Sequence, residues 1–266
     1  MPLPVSMADV LYEVDEPIYQ LQDPPSGEKE ETIAGYVTEM MKDGDCIQLG
    51  FGGIPNAIGF HLMEKHDLGI HTEQIGTSMA HLMACGAVTN RYKSIDQGIT
   101  VGSFISGDNF LYDFVDQHPP AHRPPRDRYT NDPYVIARND NVVSVNASLQ
   151  IDLTGQVCAG VHRPLSALRH RRRHRLCLGA YHSGGPGHPG LDVHHEEGDP
   201  LPHCAHPGPG AIVSVSRNLT DMVVTEYGVA KLRQRTVGQR VENLIAVAHP
   251  DFRAELRKQA AKYMYY

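Results

Sequence analysis

Short apolar segments alternate with helical patterns over most of the chain, and this alternation limits the fold more than any other feature of the sequence. Apolar residues spaced three or four apart predict amphipathic helices, and brief apolar runs between Gly-containing turns predict buried strands. The expected helices cover 31–43, 55–63, 78–85, 109–115 and 237–248, and the expected strands cover 46–49, 68–72, 99–105, 142–145, 149–153, 211–216 and 222–225. This order predicts an α/β fold with a largely parallel open sheet flanked by helices.

The first thirty residues differ from the rest of the chain. They hold five prolines between acidic residues and show neither a helical nor a strand period. Proline-rich stretches without periodicity are typical of connections between folded units. We therefore expect residues 1–30 to form an N-terminal arm or an inter-domain linker, and residues 31–266 to form one domain.

The composition narrows the possible function classes. The 266 residues carry a formal net charge of −7, which argues against a general nucleic-acid binder because such proteins present a basic surface. No apolar run approaches the roughly 18 residues that would cross a bilayer. The five cysteines are an odd number at unrelated spacings, which indicates reduced thiols in an intracellular protein. We expect a cytoplasmic location, and a mitochondrial one stays open for a full-length form.

Residues 159–210 break the pattern of the rest of the chain. These 52 residues hold nine of the 16 histidines and six arginines, but no isoleucine, phenylalanine or methionine. We expect no buried strand from such a composition. Three interpretations compete: a metal site, a solvated disordered loop, or coding DNA read out of frame. The ligand-like spacings for a metal site are His194-His195-Glu196-Glu197 and the pair His170 and His174.

The frameshift interpretation makes a prediction about the residues themselves. Removing one base from the codons of Glu196 and Glu197, with permissive codon choices, makes 185–213 read GRAILALTSTTRKGTPLPIVPTLAPGAIV. This string has an apolar strand, a Ser/Thr turn and a second strand, as an ordinary α/β segment does. The frameshift is favoured for this reason, and we assign no metal ligands to the segment.

A glycine-rich turn, Gly50-Phe51-Gly52-Gly53, lies between the first predicted strand and the helix that begins near Pro55. Its backbone N–H groups and the positive end of the helix suit an anion or a developing oxyanion. The turn lacks the GxGxxG spacing of a dinucleotide site and the Lys-Ser/Thr of a phosphate-binding loop. The alternative is that the turn only connects the strand to the helix and binds no ligand.

Glu73 comes directly after the next predicted strand, 68–72. Ligands of open α/β sheets bind at the carboxyl ends of the strands, so this carboxylate is a candidate catalytic group. A solvated surface carboxylate is the plainer alternative. His71 shares a face with Glu73 if both residues are extended, and in that case we expect it to tune the carboxylate.

The glycine-rich turn and the string that ends in Glu73, at this spacing, resemble motifs of the acetyl-CoA hydrolase/transferase family, in particular of the class I 4-hydroxybutyrate CoA-transferases. The matching strings are GFGGIPNAI, DLGIHTE, LYDFVD, YTNDPYVIARNDNVVSVNASLQIDLTGQVCA, VVTEYGVAKLR and ENLIAVAHPDFRAEL. They cover about residues 45–158 and 211–257, in the order of the family. The frame-shifted reading of 185–213 also resembles a segment of this family.

The resemblance implies roles for particular residues. The family's nucleophile is the glutamate of the GIHTE string, here Glu73, and Gly52 and Gly53 correspond to its oxyanion loop. The family pattern implies substrate or CoA contacts at Gly50, Ile54, Pro55, Asn56, Asn146, Gln150, Glu226, Tyr227 and Gly228. The last three are expected in a strand-to-helix turn near the site. No metal and no permanently bound cofactor are implied, because coenzyme A is a substrate.

The implied activity is transfer of CoA between short-chain carboxylic acids, such as acetate, butyrate or 4-hydroxybutyrate, through a glutamyl-CoA thioester. An acyl-CoA hydrolase is the alternative if water replaces the acceptor acid. An inactive or partner-dependent subunit is a further alternative. The implied partners are acyl-CoA and short-chain carboxylates, with no nucleic acid and no membrane.

The chain departs from the family in three ways. The family commonly has SDG shortly after the nucleophile, whereas Gln74-Ile75-Gly76-Thr77-Ser78 follows Glu73 here. Family members carry a further N-terminal α/β half and are expected to be homo-oligomers in full-length form. Their glycine-rich CoA-binding stretch falls within 159–185, where this sequence is aberrant. We therefore expect an incomplete C-terminal fragment that transfers little or no CoA by itself.

Overall fold

A computed structural model describes residues 5–21, 26–50, 52–118, 127–148, 150–158, 167–184, 191–196, 203–204 and 212–263. The helices are α1 (Glu28–Met40), α2 (Gly53–His61), α3 (Thr77–Ala84), α4 (Asn109–Gln117), α5 (Asp127–Thr130), α6 (Pro133–Ile136), α7 (Ala167–His182), α8 (Val237–Val247) and α9 (Arg253–Lys262). Short 3-10 turns occupy Val5–Met7, Leu62–Glu64 and Pro250–Phe252.

The strands are β1 (Cys46–Leu49), β2 (Gly69–Ile70), β3 (Gln74–Ile75), β4 (Phe104–Ile105), β5 (Val142–Ser148), β6 (Gln150–Asp152), β7 (Val157–Cys158), β8 (Leu191–Glu196), β9 (His203–Cys204), β10 (Val213–Val215), β11 (Met222–Thr225) and β12 (Gly228–Lys231). The expected strand over 99–105 is shorter than predicted. It consists of β4 and an isolated bridge between Val101 and His71, and Gly98 and Gly102 interrupt its apolar pattern.

The main sheet has six strands in the order β12-β11-β8-β5-β1-β2. All neighbouring strands in it are parallel except β11 and β12, which form an antiparallel hairpin. A four-stranded sheet (β10-β7-β6-β9) and the two-stranded pair β3-β4 complete the described β-structure. The expected α/β fold with a largely parallel sheet is confirmed.

Helices cover both faces of the main sheet. Ile47 of β1 and Val143 of β5 belong to a buried cluster with residues of α1 and α2. Cys46 and Val142, one position earlier on the same strands, pack instead with Leu176 and Ala180 of α7 and with Ile136. Because successive side chains of a strand point to opposite faces, β1 and β5 are buried on both sides.

Two strands, β8 and β9, lie within residues 159–210, and the interior position of β8 contradicts the expectation that this segment supplies no buried strand. Leu191–Glu196 lies between β5 and β11 and pairs in parallel with both. Backbone N–H and C=O groups pair whatever side chains they carry, and a gap here would leave two interior strands with unpaired edges. The strand therefore forms in a sequence that is not typical of an interior parallel strand.

The helix α7 was also not expected within this segment. It spans 16 residues, and its buried side chains include Leu176, Cys177 and Ala180. The spacing of these three residues places them on one side of the helix, and Leu, Arg and Ala favour helices intrinsically. Besides α7 and β8, the structure describes Ser183, Gly184 and β9 within residues 159–210. The other residues of the segment, among them the ligand-like Glu197, lie outside the described part of the chain.

The strand-to-helix turn expected at Glu226-Tyr227-Gly228 is a different structure. These residues form the tight turn between β11 and β12, in which Thr225 pairs with Gly228. Gly228 has a φ of +135°, a backbone conformation that glycine adopts without strain. The strand β12 was not predicted, because Gly228–Lys231 is short and contains only two apolar residues.

Residues 5–21 form an exposed arm with little regular structure. Large apolar side chains in it are mostly accessible, including Val10 and Tyr12, which are 82% and 85% exposed. The arm meets the domain where Leu21 N donates to Gly107 O (2.9 Å) and Tyr112 Oη donates to Tyr19 O (3.0 Å). The boundary near residue 30 remains a prediction. None of the described helices has the length and hydropathy needed to cross a membrane.

Candidate active site

The parallel pairing of the main sheet brings three predicted motifs to one edge. The glycine turn follows β1, Glu73 follows β2, and Glu226 follows β11, and these strands all run in the same direction. Gly50 N donates to Val145 O (2.8 Å), which ties the turn to the adjacent strand β5. The edge formed by the carboxyl ends of the strands is therefore where the candidate residues gather.

The glycine turn leads directly into α2. Gly52 is the N-cap residue with a φ of +126°, a conformation that would strain any other residue, and no side chain caps the helix there. Helix geometry leaves the first N–H groups, among them those of Gly53 and Ile54, without intrahelical partners. Phe51 lies outside the described residues. The turn thus provides backbone donors at the positive end of a helix dipole.

Glu73 lies in the bend between β2 and β3 and is half-buried. Its backbone carbonyl accepts hydrogen bonds from Ser103 N (2.8 Å) and Phe104 N (3.2 Å). The preceding residue is also held, because Thr72 N donates to Val101 O (2.9 Å). These bonds fix the main chain of the candidate nucleophile against the segment that leads into β4.

An open pocket lies between the glycine turn and the residues after Glu73, and its empty space of about 330 Å³ includes space that is open to solvent. Gly50, Gly52, Pro55 and Asn56 line it on the side of the turn. Gln74, Gly76, Ser78, Met79 and Ser106 line it on the other side, together with Leu49. Three predicted binding residues and Gly52 of the predicted oxyanion loop therefore share one pocket with the residue that follows Glu73 in the chain.

Three polar residues of the pocket were not identified from the sequence: Gln74, Ser78 and Ser106. Gln74 follows the candidate nucleophile directly, and that position was the available signal. Ser78 lies on α3, where its Oγ would be only 2.3 Å from a Cβ built on Gly59 of α2. The two helices therefore pack closely at the pocket wall, and the missing side chain at Gly59 permits this approach.

The other predicted binding residues lie at varying distances from the pocket. Ile54 is buried in the hydrophobic core, so only its backbone can serve a ligand. Asn146 is buried on β5, and its Nδ2 donates to Ser144 Oγ (2.9 Å) and Gln48 Oε1 (3.2 Å). Its Oδ1 would be 3.7 Å from a Cβ built on Gly50, so Asn146 supports the base of the turn. Gln150 lies on the four-stranded sheet.

The hairpin turn after β11 makes its own contacts. Glu226 Oε1 is 3.6 Å from Lys29 Nζ of α1, and both side chains are partly exposed. The Tyr227 ring meets the His249 ring edge-on at a centroid distance of 5.5 Å. These contacts connect the turn to α1 and to the segment before α9, and neither residue is among the described residues that line the pocket.

The expected tuning of Glu73 by His71 is wrong, because the His71 ring is engaged elsewhere. Its Nε2 is 3.0 Å from Thr130 O, and its Nδ1 is 3.4 Å from Asn139 Nδ2. The side chain is fully buried, and this burial lowers its pKa from 6.5 to about 4. His71 therefore joins the end of β2 to the 130–139 segment as a neutral ring.

Lys93 holds the same strand from another side. Its ammonium group donates to Ile70 O (3.1 Å) and Ile99 O (2.7 Å), and the side chain is only 2% exposed. Burial lowers the pKa of Lys93. Two buried polar side chains, those of His71 and Lys93, therefore fix the end of the strand that leads to Glu73.

The buried His71 makes stability depend on pH. Its folded-state pKa of about 4 lies below the unfolded value of 6.5, so the unfolded chain binds more protons between these values. We expect the ring to lower the free energy of unfolding by about 2 kcal/mol between pH 7.5 and pH 5. His71→Gln should reduce the pH dependence by that amount in urea unfolding experiments. His66→Gln, at an exposed position, is the control and should keep the pH dependence of wild type. If the free energy of unfolding depends on pH equally in wild type and in His71→Gln, the prediction is contradicted.

Comparisons with known proteins agree on one family. The model of the acetyl-CoA hydrolase/transferase C-terminal domain matches residues 107–166 and 203–260. A succinyl-CoA:cyclohexane-1-carboxylate CoA transferase of Geobacter metallireducens is 42% identical over 97% of this chain and 59% of the relative. A 4-hydroxybutyrate coenzyme A transferase of Clostridium kluyveri is 36% identical over 97% of this chain and 60% of the relative.

A solved structure shows the same relationship in three dimensions. The 4-hydroxybutyrate CoA-transferase of Porphyromonas gingivalis is 34% identical, with a TM-score of 0.73 over 94% of this chain and 59% of that one. The chain thus spans about three fifths of the length of the relatives that it matches. The family model skips residues 167–202, which lie within the segment of unusual composition.

Proposed function

The chain belongs to the acetyl-CoA hydrolase/transferase family, and we propose that it transfers CoA between short-chain carboxylic acids with Glu73 as the nucleophile. The observation that carries this proposal is the pocket between the N-terminus of α2 and Gln74, the neighbour of Glu73. The start of α2 lies on one side of this pocket and Gln74 on the other, whereas Glu73 itself is not among the described residues that line it. The pocket lies at the edge of the sheet where ligands of such folds bind. Acetate, butyrate and 4-hydroxybutyrate are the proposed class of acids.

The proposed reaction proceeds in balanced half-steps. The Glu73 carboxylate attacks the thioester carbonyl of an acyl-CoA, and CoA thiolate leaves, so that a mixed anhydride forms. The thiolate then attacks the glutamyl carbonyl, which releases the first acid as a carboxylate and leaves a glutamyl-CoA thioester. An acceptor carboxylate reverses both steps. No net proton transfer is needed, and the anhydride retains the energy of the thioester.

The glycine turn has a specific role in these steps. Each attack produces a tetrahedral oxyanion, and fixed N–H donors stabilise such a charge more than they stabilise the ground state. Gly52 and Gly53 at the start of α2 are the proposed donors, with the helix dipole adding positive potential. Gly50, Pro55 and Asn56 line the same pocket and are proposed to contact the acyl group or the end of CoA.

Water must be excluded for transfer to exceed hydrolysis. The relatives are longer than this chain, and we infer that a further lobe of the kind they contain closes the pocket and completes CoA binding. Coenzyme A is a substrate in this scheme. We further propose that the complete form is a homo-oligomer and that it acts in the cytoplasm.

A complementation assay tests the proposed function. This chain is co-expressed with the part of the Geobacter metallireducens relative that has no counterpart in it, and complex formation is checked by size exclusion. We expect the complex to convert butyryl-CoA and acetate into acetyl-CoA at least 10-fold faster than the chain alone. Release of free butyrate and CoA at the same rate without acetate would identify a hydrolase instead. A complex without either activity, or no complex at all, would contradict the proposal.

A further inference from the structure

The outer edge of β2 pairs with the main chain only at its two ends. β2 is the last strand of the main sheet, and its inner edge pairs with β1. On the outer edge, Leu68 forms a parallel bridge with Val88, and His71 forms one with Val101. The described residues between Val88 and Val101 form no bridge with β2, so the N–H group of Ile70 needs a partner other than a strand.

The buried side chain of Asn90 supplies this partner. Its Oδ1 accepts from Ile70 N (2.8 Å), and its Nδ2 donates to Thr100 Oγ1 (2.9 Å). The main chain of Asn90 has a φ of +57°, which asparagine adopts more readily than most residues, and its carbonyl accepts from Gly98 N (3.0 Å). Because both polar atoms of the carboxamide are paired and the residue is only 5% exposed, its orientation is fixed.

The buried ammonium group of Lys93 bonds to the other polar group of Ile70. It donates to Ile70 O and to Ile99 O, and thus joins β2 to the segment that leads into β4. Hydrogen bonds from a charged donor are stronger than neutral ones. The aliphatic part of Lys93 passes over Gly69, because a Cβ built on Gly69 would be only 2.6 Å from Lys93 Cγ. The glycine of the string that ends in Glu73 therefore leaves room for the lysine.

The two segments that Lys93 joins are the ones that hold Glu73. Ile70 leads to Glu73 along the chain. Ile99 leads to Ser103 and Phe104, whose N–H groups donate to Glu73 O (2.8 and 3.2 Å). A shift of either segment would therefore move the carboxylate, and a displacement of about 1 Å in a reacting group can cost about 100-fold in rate.

We propose that Asn90 and Lys93 are positioning residues, which take the place of a neighbouring strand at the outer edge of β2 and thereby hold Glu73 in the reactive position. The inference rests on the proposed function, since it assumes that Glu73 is the nucleophile. Neither residue is among the described residues that line the pocket, so both act through the main chain of β2. Loss of either side chain should therefore slow the covalent steps and leave the binding of acyl-CoA unchanged.

The first test is amide hydrogen exchange, measured by NMR on the full chain, which requires no activity. Lys93→Met removes the ammonium group, and Asn90→Gly removes the carboxamide at a φ that glycine adopts without strain. We expect exchange to become at least about 10-fold faster at the Ile70 amide in Asn90→Gly, and at the Val101 amide, which donates to Ile70 O, in Lys93→Met. Lys258→Met, at an exposed position on α9, is the matched control and should keep the wild-type rates.

The second test separates kcat from KM in the complemented enzyme, well below the unfolding temperature of each variant. We expect Lys93→Met and Asn90→Gly to lower kcat about 10- to 100-fold, with KM for acyl-CoA within about 3-fold of wild type. Asn90→Asp keeps an acceptor for the Ile70 N–H group and should recover kcat to within about 5-fold of wild type. Gly69→Ala blocks the path of Lys93 while both positioning side chains are kept, and it should lower kcat in the same way.

The outcomes separate this inference from the proposed function. Wild-type exchange rates in folded Lys93→Met and Asn90→Gly, or wild-type kcat in a variant whose exchange is faster, would overturn the inference. A loss that appears only in KM would overturn it as well, because it would indicate a role in binding. If the wild-type complex transfers no CoA, the proposed function fails, and the exchange rates alone then decide whether Asn90 and Lys93 fix the edge of β2.

Discussion

Glu73→Gln should reduce CoA transfer by the complemented enzyme at least about 1,000-fold, because an amide cannot replace a carboxylate as the attacking group. Glutamine has nearly the size and polarity of glutamate, and the main chain at this position is held by Ser103 N and Phe104 N. The structure of the pocket should therefore stay unchanged. Intact-mass analysis after incubation with acyl-CoA should show one covalently bound CoA in wild type and none in Glu73→Gln.

Two further variants test whether the loss of CoA transfer is specific to the carboxylate of Glu73. Glu64→Gln removes a carboxylate at an exposed position after α2 and should retain wild-type activity. Glu73→Asp keeps the carboxylate but moves it by about 1 Å, so a loss of about 100-fold is expected. Covalent CoA on the Glu73→Gln chain, or transfer within 10-fold of wild type, would show that another group is the nucleophile.

The part of the site formed by residues close in sequence was predictable. The strand at 46–49, the glycine turn and the helix after it form one continuous βα unit, and each has a strong local pattern. Glu73 was identified because it follows a strand directly. The family resemblance, added to the local pattern, assigned Gly50, Gly52, Pro55 and Asn56 to the site, and the structure places them in one pocket.

The opposite wall of the pocket was not predictable in the same way. Ser106 reaches the pocket through the pairing of β3 with β4, which are two residues each and about thirty residues apart in the chain. Pairs of this length have no periodicity that a sequence pattern can show. The position of the His71 ring was missed for a related reason: its partners at 130 and 139 come from a distant segment.

The histidine-rich segment shows where composition and topology disagree. Composition excluded a buried strand, yet the sheet needs one between β5 and β11, and Leu191–Glu196 fills that place. Interior strands of parallel sheets usually consist of nearly continuous apolar residues, whereas this one reads LDVHHE. The family model also breaks off at residues 167–202. The frameshift interpretation explains both observations and remains a prediction.

Replacing residues 185–213 by the frame-shifted string GRAILALTSTTRKGTPLPIVPTLAPGAIV should raise the free energy of unfolding by about 4 kcal/mol. The string places its apolar run, AILAL, at 187–191, so the interior strand is expected to begin about four residues before the present β8. Burying two or three large aliphatic side chains of this run gives an effect of this size. Thermal unfolding should show a Tm increase of about 10 °C.

A matched control carries the same 29 residues in scrambled order, so that composition is kept and only the strand pattern is lost. We expect this control to be no more stable than wild type, because scattered apolar residues cannot fill one interior strand. Independent sequencing of the coding DNA should then show one base gained or lost on each side of the segment. A chain that loses stability with the shifted string, together with DNA confirmed in its present frame, would establish the histidine-rich strand as a natural part of this protein.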